Sequence, residues 1–244
     1  MQINSGNEPK ITREFSRFAH SYESHNAIQS EVAKELVEKL DNKYYKTIID
    51  IGCGSGAVYK NINQQEIRFE QFIALDASKE MLDIHPNSKN IHKYCTDFNM
   101  SKTYDSLDTN VDKTLIISSS ALQWSKDLDF TFNQLSKKAS KAYFAIFTAG
   151  TFKTLHQTAK IKSPIYSAAE LEKSIEKHYI ATFVLKTYRL EFDTVQEMFS
   201  YIKKSGVSGG KKKLTYKQTK ELMENYSLKY LEFEVLFAEA TPFV

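Results

Sequence analysis

Chemistry gathers first at Asp50-Ile-Gly52-Cys53-Gly54-Ser-Gly56, directly after the apolar run Thr47-Ile-Ile49. A buried strand that opens into alternate glycines lets a ligand approach bare backbone. Asp50 gives that loop a direction, since a carboxylate repels a pyrophosphate and attracts an ammonium group. The glycine spacing alone leaves a plain strand-to-helix turn open, and Gly52-x-Gly54-x-x-Ala57 also satisfies the looser dinucleotide fingerprint. Three later runs end in the same manner. Phe72-Ile-Ala-Leu75-Asp76 places an acid where it could accept both hydroxyls of a ribose, although Asp76 could equally serve the start of the next helix, with Ser78 and Glu80. Ile91-His-Lys-Tyr-Cys95-Thr-Asp97-Phe98 offers an acceptor for an adenine amino group beside a ring that could stack on the base. Lys113-Thr-Leu-Ile-Ile117-Ser118-Ser-Ser120-Ala-Leu-Gln-Trp124 opens into small hydroxyl residues and then the only Trp of the chain, either a pocket wall or a core side chain.

The elements that must hold these groups alternate. Thr12 to His25 carries Phe15, Phe18, Ala19 and Tyr22 at helical spacing, and Ile28, Val32, Leu36 and Leu40 continue as a second helix. Helices are expected near Ala57, Ser78 and Asp127. A fifth strand is expected over Ala142 to Phe147, then a helix-rich stretch over Thr151 to Lys177. An alternating strand over Thr182 to Phe192, helices over Thr194 to Lys203 and Thr215 to Tyr226, and a last strand over Tyr230 to Ala240 complete the chain. Such alternation predicts an α/β sheet with helices on both faces, and the ends of its strands are where such sheets bind ligands.

A nucleoside that also carries an ammonium group describes S-adenosylmethionine. The series Asp50-x-Gly-x-Gly-x-Gly56, Asp76-x-Ser78-x-x-Met81-Leu82, Asp97-Phe98 and Ser118 to Trp124 resembles the class I S-adenosylmethionine-dependent methyltransferases. Within them the chain is most similar to the malonyl-acyl-carrier-protein O-methyltransferases of biotin synthesis. The likeness runs over Phe15 to Gln29, Ser119 to Asp127, Phe147 to Leu155 and Leu231 to Ala238. It implies a Rossmann-like, seven-stranded, mostly parallel sheet with the last strand antiparallel and a small helical lid. It also implies one domain over 1–244, with 1–42 as helices over the cofactor and 151–178 and 194–227 as lid segments. Asp50, Gly52, Cys53, Gly54, Gly56, Asp76, Met81, Asp97, Phe98 and Ser118 are its expected cofactor residues.

Bulk properties agree with a soluble globule. The chain has 244 residues, 41% apolar and 26% charged, enough to bury one full core. Cys53 and Cys95 are too few for a disulfide framework, the six His show no ligand spacing, and no metal is expected. No apolar stretch reaches the ~18 residues a bilayer needs, and the first twenty residues lack a secretory core, so a cytoplasmic location is expected. Net charge is only +3, yet seven lysines and no acid lie between Lys203 and Lys220. That concentration, which departs from the family near Gly206, would steer an acidic partner. An acyl carrier protein fits, through Lys203, Lys204, Lys211, Lys212 and Lys213; nucleic acid would fit the charge too, and a solvated loop without a partner is the plainest reading.

If the methyl acceptor is a malonyl carboxylate, it is ionised at neutral pH (reference pKa about 4) and needs no general base. Positioning, gating and removal of water remain. Tyr22 is the candidate gate, Trp124 the candidate wall, and Lys153, His156 and Arg189, with Lys203 next, are the candidate clamps on the carboxylate. Rival readings are methylation of a small free acid such as aconitate, a nucleic-acid methyltransferase and a non-catalytic cofactor-binding scaffold. Ser118-Ser-Ser-Ala lacks the proline-aromatic motif that base methyltransferases carry at this place.

Overall fold

A computed structural model describes residues 26–41, 43–107, 110–204, 216–226 and 228–243; of Lys203, Lys204, Tyr216 and Lys217 it describes the backbone only. The elements in chain order are α1 (Ala27–Glu38), β1 (Tyr44–Ile51), α2 (Ala57–Gln64), β2 (Arg68–Asp76), α3 (Lys79–Ile84), β3 (Ile91–Cys95), α4 (Ser101–Asp105) and β4 (Thr114–Ser119). Then follow α5 (Leu128–Ser136), β5 (Lys141–Phe147), α6 (Lys153–Thr158), α7 (Ala168–Ile175), β6 (Tyr179–Glu191), α8 (Val195–Lys204), α9 (Tyr216–Asn225) and β7 (Tyr230–Pro242). Single 3-10 turns occupy Val111–Lys113 and Leu122–Trp124.

The seven strands form one sheet in the order β3-β2-β1-β4-β5-β7-β6. β3, β2, β1, β4 and β5 pair in parallel, and β7 runs antiparallel to both β5 and β6. The expected Rossmann-like, mostly parallel α/β sheet is therefore present. Its inner strands read as unbroken apolar runs because both faces are covered. Successive side chains serve opposite layers. Ile48, Phe72, Leu115 and Ile117 pack with Val32 and Leu36 of α1, Val58 and Ile62 of α2, and Met198 and Leu222 of α8 and α9. Ile49, Ile73, Ile116 and Phe144 pack with Tyr104 of α4, Phe132 and Leu135 of α5, and Leu171 and Ile175 of α7. Full burial of side chains of this size contributes about 1.5–3 kcal/mol each.

Helix starts follow local polar signals. Asp127 accepts the Phe130 N–H at 2.9 Å and opens α5, while Ser167 and Glu170 form a reciprocal capping box on α7. Several strands extend beyond their apolar runs. β1 begins at Tyr44, before Thr47, because its register with β2 starts at Tyr44↔Arg68. β6 begins at Tyr179, before Thr182, because β7 offers thirteen residues of antiparallel partner down to Tyr179↔Pro242. The short α4, which the apolar pattern did not signal, is held by Tyr104, whose side chain is fully buried.

Candidate functional site

The sheet order turns between β1 and β4, where crossovers leave to opposite sides and a crevice opens beyond the strand ends. A cleft of about 1080 Å³, open mouth included, lies there. Four of the five parallel strand ends contribute a wall: Gly52 to Ser55 at the end of β1, Asp76 to Ser78 at that of β2, Asp97 to Asn99 beyond β3, and Ser119 to Ala121 with Trp124 at that of β4. Asn26, Gln29 and Ala33 of α1 and its approach close one side.

The glycine loop owes its shape to two residues. Gly52 has φ +72°, and a Cβ there would sit 2.2 Å from the Ala121 Cβ. Gly54 has φ +52°, with nothing within 4 Å of a built Cβ, so its bare face looks into the cleft. Gly52 and Cys53 both donate to the Leu75 carbonyl, at 2.8 and 2.9 Å, which ties the loop to β2. Asp76 completes the tie. Its two carboxylate oxygens accept from the Gly54 N–H at 2.9 Å and the Ser78 N–H at 2.8 Å. Each oxygen keeps lone-pair capacity toward the cleft, as a pair of ribose hydroxyls requires. Burial raises the Asp76 pKa, and the N–H groups of Ser78 and Gly54 oppose that rise. Ser78 itself caps α3, accepting from the Met81 N–H at 3.2 Å. On the far wall, Asp97 Oδ1 accepts from the backbone and side-chain nitrogens of Asn99 at 2.9 and 2.8 Å. Its Oδ2 lies 3.7 Å from the Lys126 Nζ.

Of the residues expected at the cofactor, Gly52, Cys53, Gly54, Asp76, Met81, Asp97 and Phe98 line this one cleft, together with Trp124. Three others lie elsewhere. Asp50 is fully buried beneath the loop, off the cleft wall, and neither carboxylate oxygen has a partner among the described residues. Burial, and next the Asp76 charge, push its pKa well above the carboxylate range. Gly56 caps α2 against Pro86 and the His85 ring, to which a built Cβ would come within 2.7 and 2.9 Å. Ser118 is still paired in the sheet with Phe144, and its hydroxyl donates to the Ile51 carbonyl at 2.7 Å. It ties β4 to β1. Ser119 and Ser120 face the cleft in its place, because Ser120 adopts φ +61° and turns the chain outward. Burial raises the Cys53 thiol pKa, with Asp76 and Asp50 adding to the rise, so the thiol stays neutral and is no nucleophile.

The candidate acceptor-side cations do not converge. Lys153 is exposed on the first turn of α6 and does not line the cleft. Arg189 is exposed on the edge strand β6, 4.9 Å over the Tyr230 ring and in register with Glu232. Only His156 reaches a cavity, a smaller one that shares the Trp124 wall. Tyr22, Lys211, Lys212 and Lys213 lie outside the described residues, as do the side chains of Lys203 and Lys204. Gln29, Asn99, Ser119, Ser120 and Lys126 were not singled out from sequence as ligand contacts. Gln29, Ser119, Ser120 and Lys126 do fall within stretches that carry the family likeness, but polar residues near a helix start or loop give no directional signal until packed.

The pieces fit an adenosyl cofactor. Bare backbone at Gly54, an acid with free acceptor capacity at Asp76, an acid beside a ring at Asp97 and Phe98, and the buried, unpartnered Gln29 Oε1 supply its needs. Among the described residues, no group of three or more His, Cys, Asp or Glu could hold a metal ion. No described helix is long and apolar enough to cross a membrane.

Residues 49–141 match the family described as "Methyltransferase domain". The chain is 26% identical over 235 residues to a malonyl-[acyl-carrier protein] O-methyltransferase of Halalkalibacterium halodurans, covering 81% of this chain and 82% of that one. Further bacterial relatives bear the same name. Among solved structures, the YcgJ protein of Bacillus subtilis superposes with a TM-score of 0.63 at 11% identity, over 88% of this chain and 99% of that one. A Haemonchus contortus phosphoethanolamine N-methyltransferase bound to S-adenosylhomocysteine superposes with a TM-score of 0.57 at 14% identity, over 96% of this chain and 61% of that one. These structural likenesses concern the fold.

Proposed function

We propose that this chain, a class I S-adenosylmethionine-dependent methyltransferase, moves the methyl group to the free carboxylate of a malonyl thioester on acyl carrier protein, an early step of biotin synthesis. The names of its relatives support that acceptor. The observation that carries it is the chemistry of the wall after β4: the hydroxyls of Ser119 and Ser120 and the indole N–H of Trp124 are buried and unpartnered among the described residues, and all three side chains line the cleft. Hydrogen-bond donors without a partner suit an anion.

S-adenosylmethionine, when bound, supplies a methyl group on a sulfonium. Gly52 to Ser55 would pass beneath its methionyl part, Asp76 would accept its ribose hydroxyls, and Asp97 with Phe98 would take its adenine. The chain's own task is then positioning. A malonyl carboxylate is already ionised, so no side chain has to remove a proton. The Ser119–Trp124 wall would help to position the acceptor and to exclude water, which would otherwise solvate the carboxylate far more strongly than the sulfonium. Tyr22 would gate the methionyl end, and Lys203, Lys204, Lys211, Lys212 and Lys213 would steer the acidic carrier protein. Transfer masks the acceptor's charge by making a neutral ester.

The test is incubation with methyl-labelled cofactor and, separately, malonyl carrier protein, malonyl-coenzyme A, aconitate and tRNA. Label on the malonyl group, with the mass increase of one methylene, is expected. Label only on tRNA or only on aconitate refutes the acceptor; label nowhere favours a binding scaffold.

A further inference from the structure

Adjoining the cofactor cleft at Trp124 lies the smaller cavity of about 400 Å³, open mouth included. Phe147 and Phe152 make its apolar wall. Four polar atoms of its lining are buried without a partner among the described residues: Gln123 Oε1, Trp124 Nε1, His156 Nδ1 and Ser163 Oγ. Buried polar groups are nearly always satisfied, so four orphans around one hole call for an occupant. Gln123 is only 5% exposed, and its amide nitrogen is already committed to the Ser120 carbonyl at 2.7 Å, which leaves the oxygen as an acceptor. The other three can donate: the indole N–H always, the serine hydroxyl by rotation, the imidazole in the tautomer with its proton on Nδ1. Donors therefore outnumber acceptors in a largely apolar hole, the setting in which a carboxylate gains most from each hydrogen bond.

We infer that this cavity is the recess for the acceptor's carboxylate end, held by Trp124 Nε1, Ser163 Oγ and His156. The inference rests on the carboxyl-methylation reading and locates its acceptor. Trp124 lines both cavities, so a carboxylate held at its indole N–H stands where the recess meets the cofactor cleft. The role expected of Lys153 and Arg189 thereby passes to neutral donors. His156 is kept neutral by burial, which lowers its pKa.

Trp124 is the only tryptophan, so the site carries its own reporter. The experiment titrates malonate into the protein saturated with S-adenosylhomocysteine and follows tryptophan fluorescence, with dimethyl malonate as the uncharged control. A saturable change with malonate and none with the diester is expected. Ser163→Ala and His156→Gln should each weaken malonate by about tenfold or more, the loss of one hydrogen bond to a charged group. Their affinity for S-adenosylhomocysteine should be unchanged, which also shows that they fold. No saturable signal, an equal response to the diester, or variants that bind malonate like the parent would overturn the inference. Malonate binding here in a protein that methylates no malonyl thioester would retire the carrier-protein reading and leave the recess standing. Methylation without a malonate signal would do the reverse.

Discussion

Replacing Gly52 and Gly54 by alanine, one at a time, should separate the two jobs of the glycine loop. Both residues have positive φ, +72° and +52°, so each alanine bears a left-handed backbone cost of about 1–2 kcal/mol. Their surroundings differ. A Cβ on Gly52 would lie 2.2 Å from the Ala121 Cβ, where carbon atoms ordinarily stand about 3.5–4.0 Å apart. Neither side can yield readily: Ala121 begins the 3-10 turn that presents Trp124, and the Gly52 N–H is bonded to Leu75. Overpacking of this kind adds about 1–3 kcal/mol, for a total of about 2–5. That is a large part of the ~5–15 kcal/mol that holds a domain folded. Gly54→Ala meets nothing in the protein and should lose only the backbone cost, but its methyl group enters the cleft and should weaken S-adenosylhomocysteine by at least about tenfold. Urea unfolding of the ligand-free proteins at unchanged m-value measures the first quantity, and calorimetry with S-adenosylhomocysteine the second. Equal stability losses in the two variants, or full affinity in Gly54→Ala, would refute the assignment of Gly52 to packing and Gly54 to ligand approach.

Asp76→Ala should weaken S-adenosylhomocysteine by roughly ten- to 150-fold, the worth of a charged hydrogen bond of about 1.5–3 kcal/mol; calorimetry showing a change under threefold would remove Asp76 from the ribose site. Ser118→Ala should lower stability by about 1 kcal/mol through the lost bond to the Ile51 carbonyl and leave cofactor affinity intact, so that a fall in affinity would return Ser118 to the site. For Asp50 the sign follows from its raised pKa. A carboxyl group harder to ionise folded than unfolded favours the fold fully below its unfolded pKa of about 3.9, and that contribution drains away as pH rises toward the folded value. Asp50→Asn should therefore become progressively more stable than the parent, without ligand, as pH is raised above about 4; thermal unfolding across pH that shows a constant or opposite difference would mean that Asp50 has a cationic partner in the folded protein.

Much of the sheet could be read in one dimension. The runs ending at Asp50, Asp76 and Ser118 are strands because residues buried on both faces must be apolar throughout, a signal that needs no partner; β3, before Asp97, is an edge strand with His92 and Lys93 at its middle and no buried residue. Strand lengths were less legible. The starts at Tyr44 and Tyr179 come from register with β2 and β7, and no window of β1 or β6 contains that information. The site divides in the same way. Asp76 and Asp97 could be named as ligand groups because the first ends β2 and the second follows the end of β3 by two residues. Ser118, Ser119 and Ser120 are chemically identical neighbours; the first two are both paired in the sheet, and only the bond that turns Ser118 toward the Ile51 carbonyl and the left-handed turn at Ser120 decide which of them face the cleft.

By itself the sequence determined the alternation of elements, the positions at which glycine was required and the acids placed at successive strand ends, because all of these depend on residue type and on short-range spacing. Tertiary structure alone decided that Asp50 lies beneath the loop, that Arg189 belongs to a distant edge strand, and that His156 and Ser163 meet Gln123 and Trp124 around one cavity. Those facts depend on which segments the crossovers bring together. Packing between residues distant in the chain fixes direction and burial, and a linear pattern encodes neither.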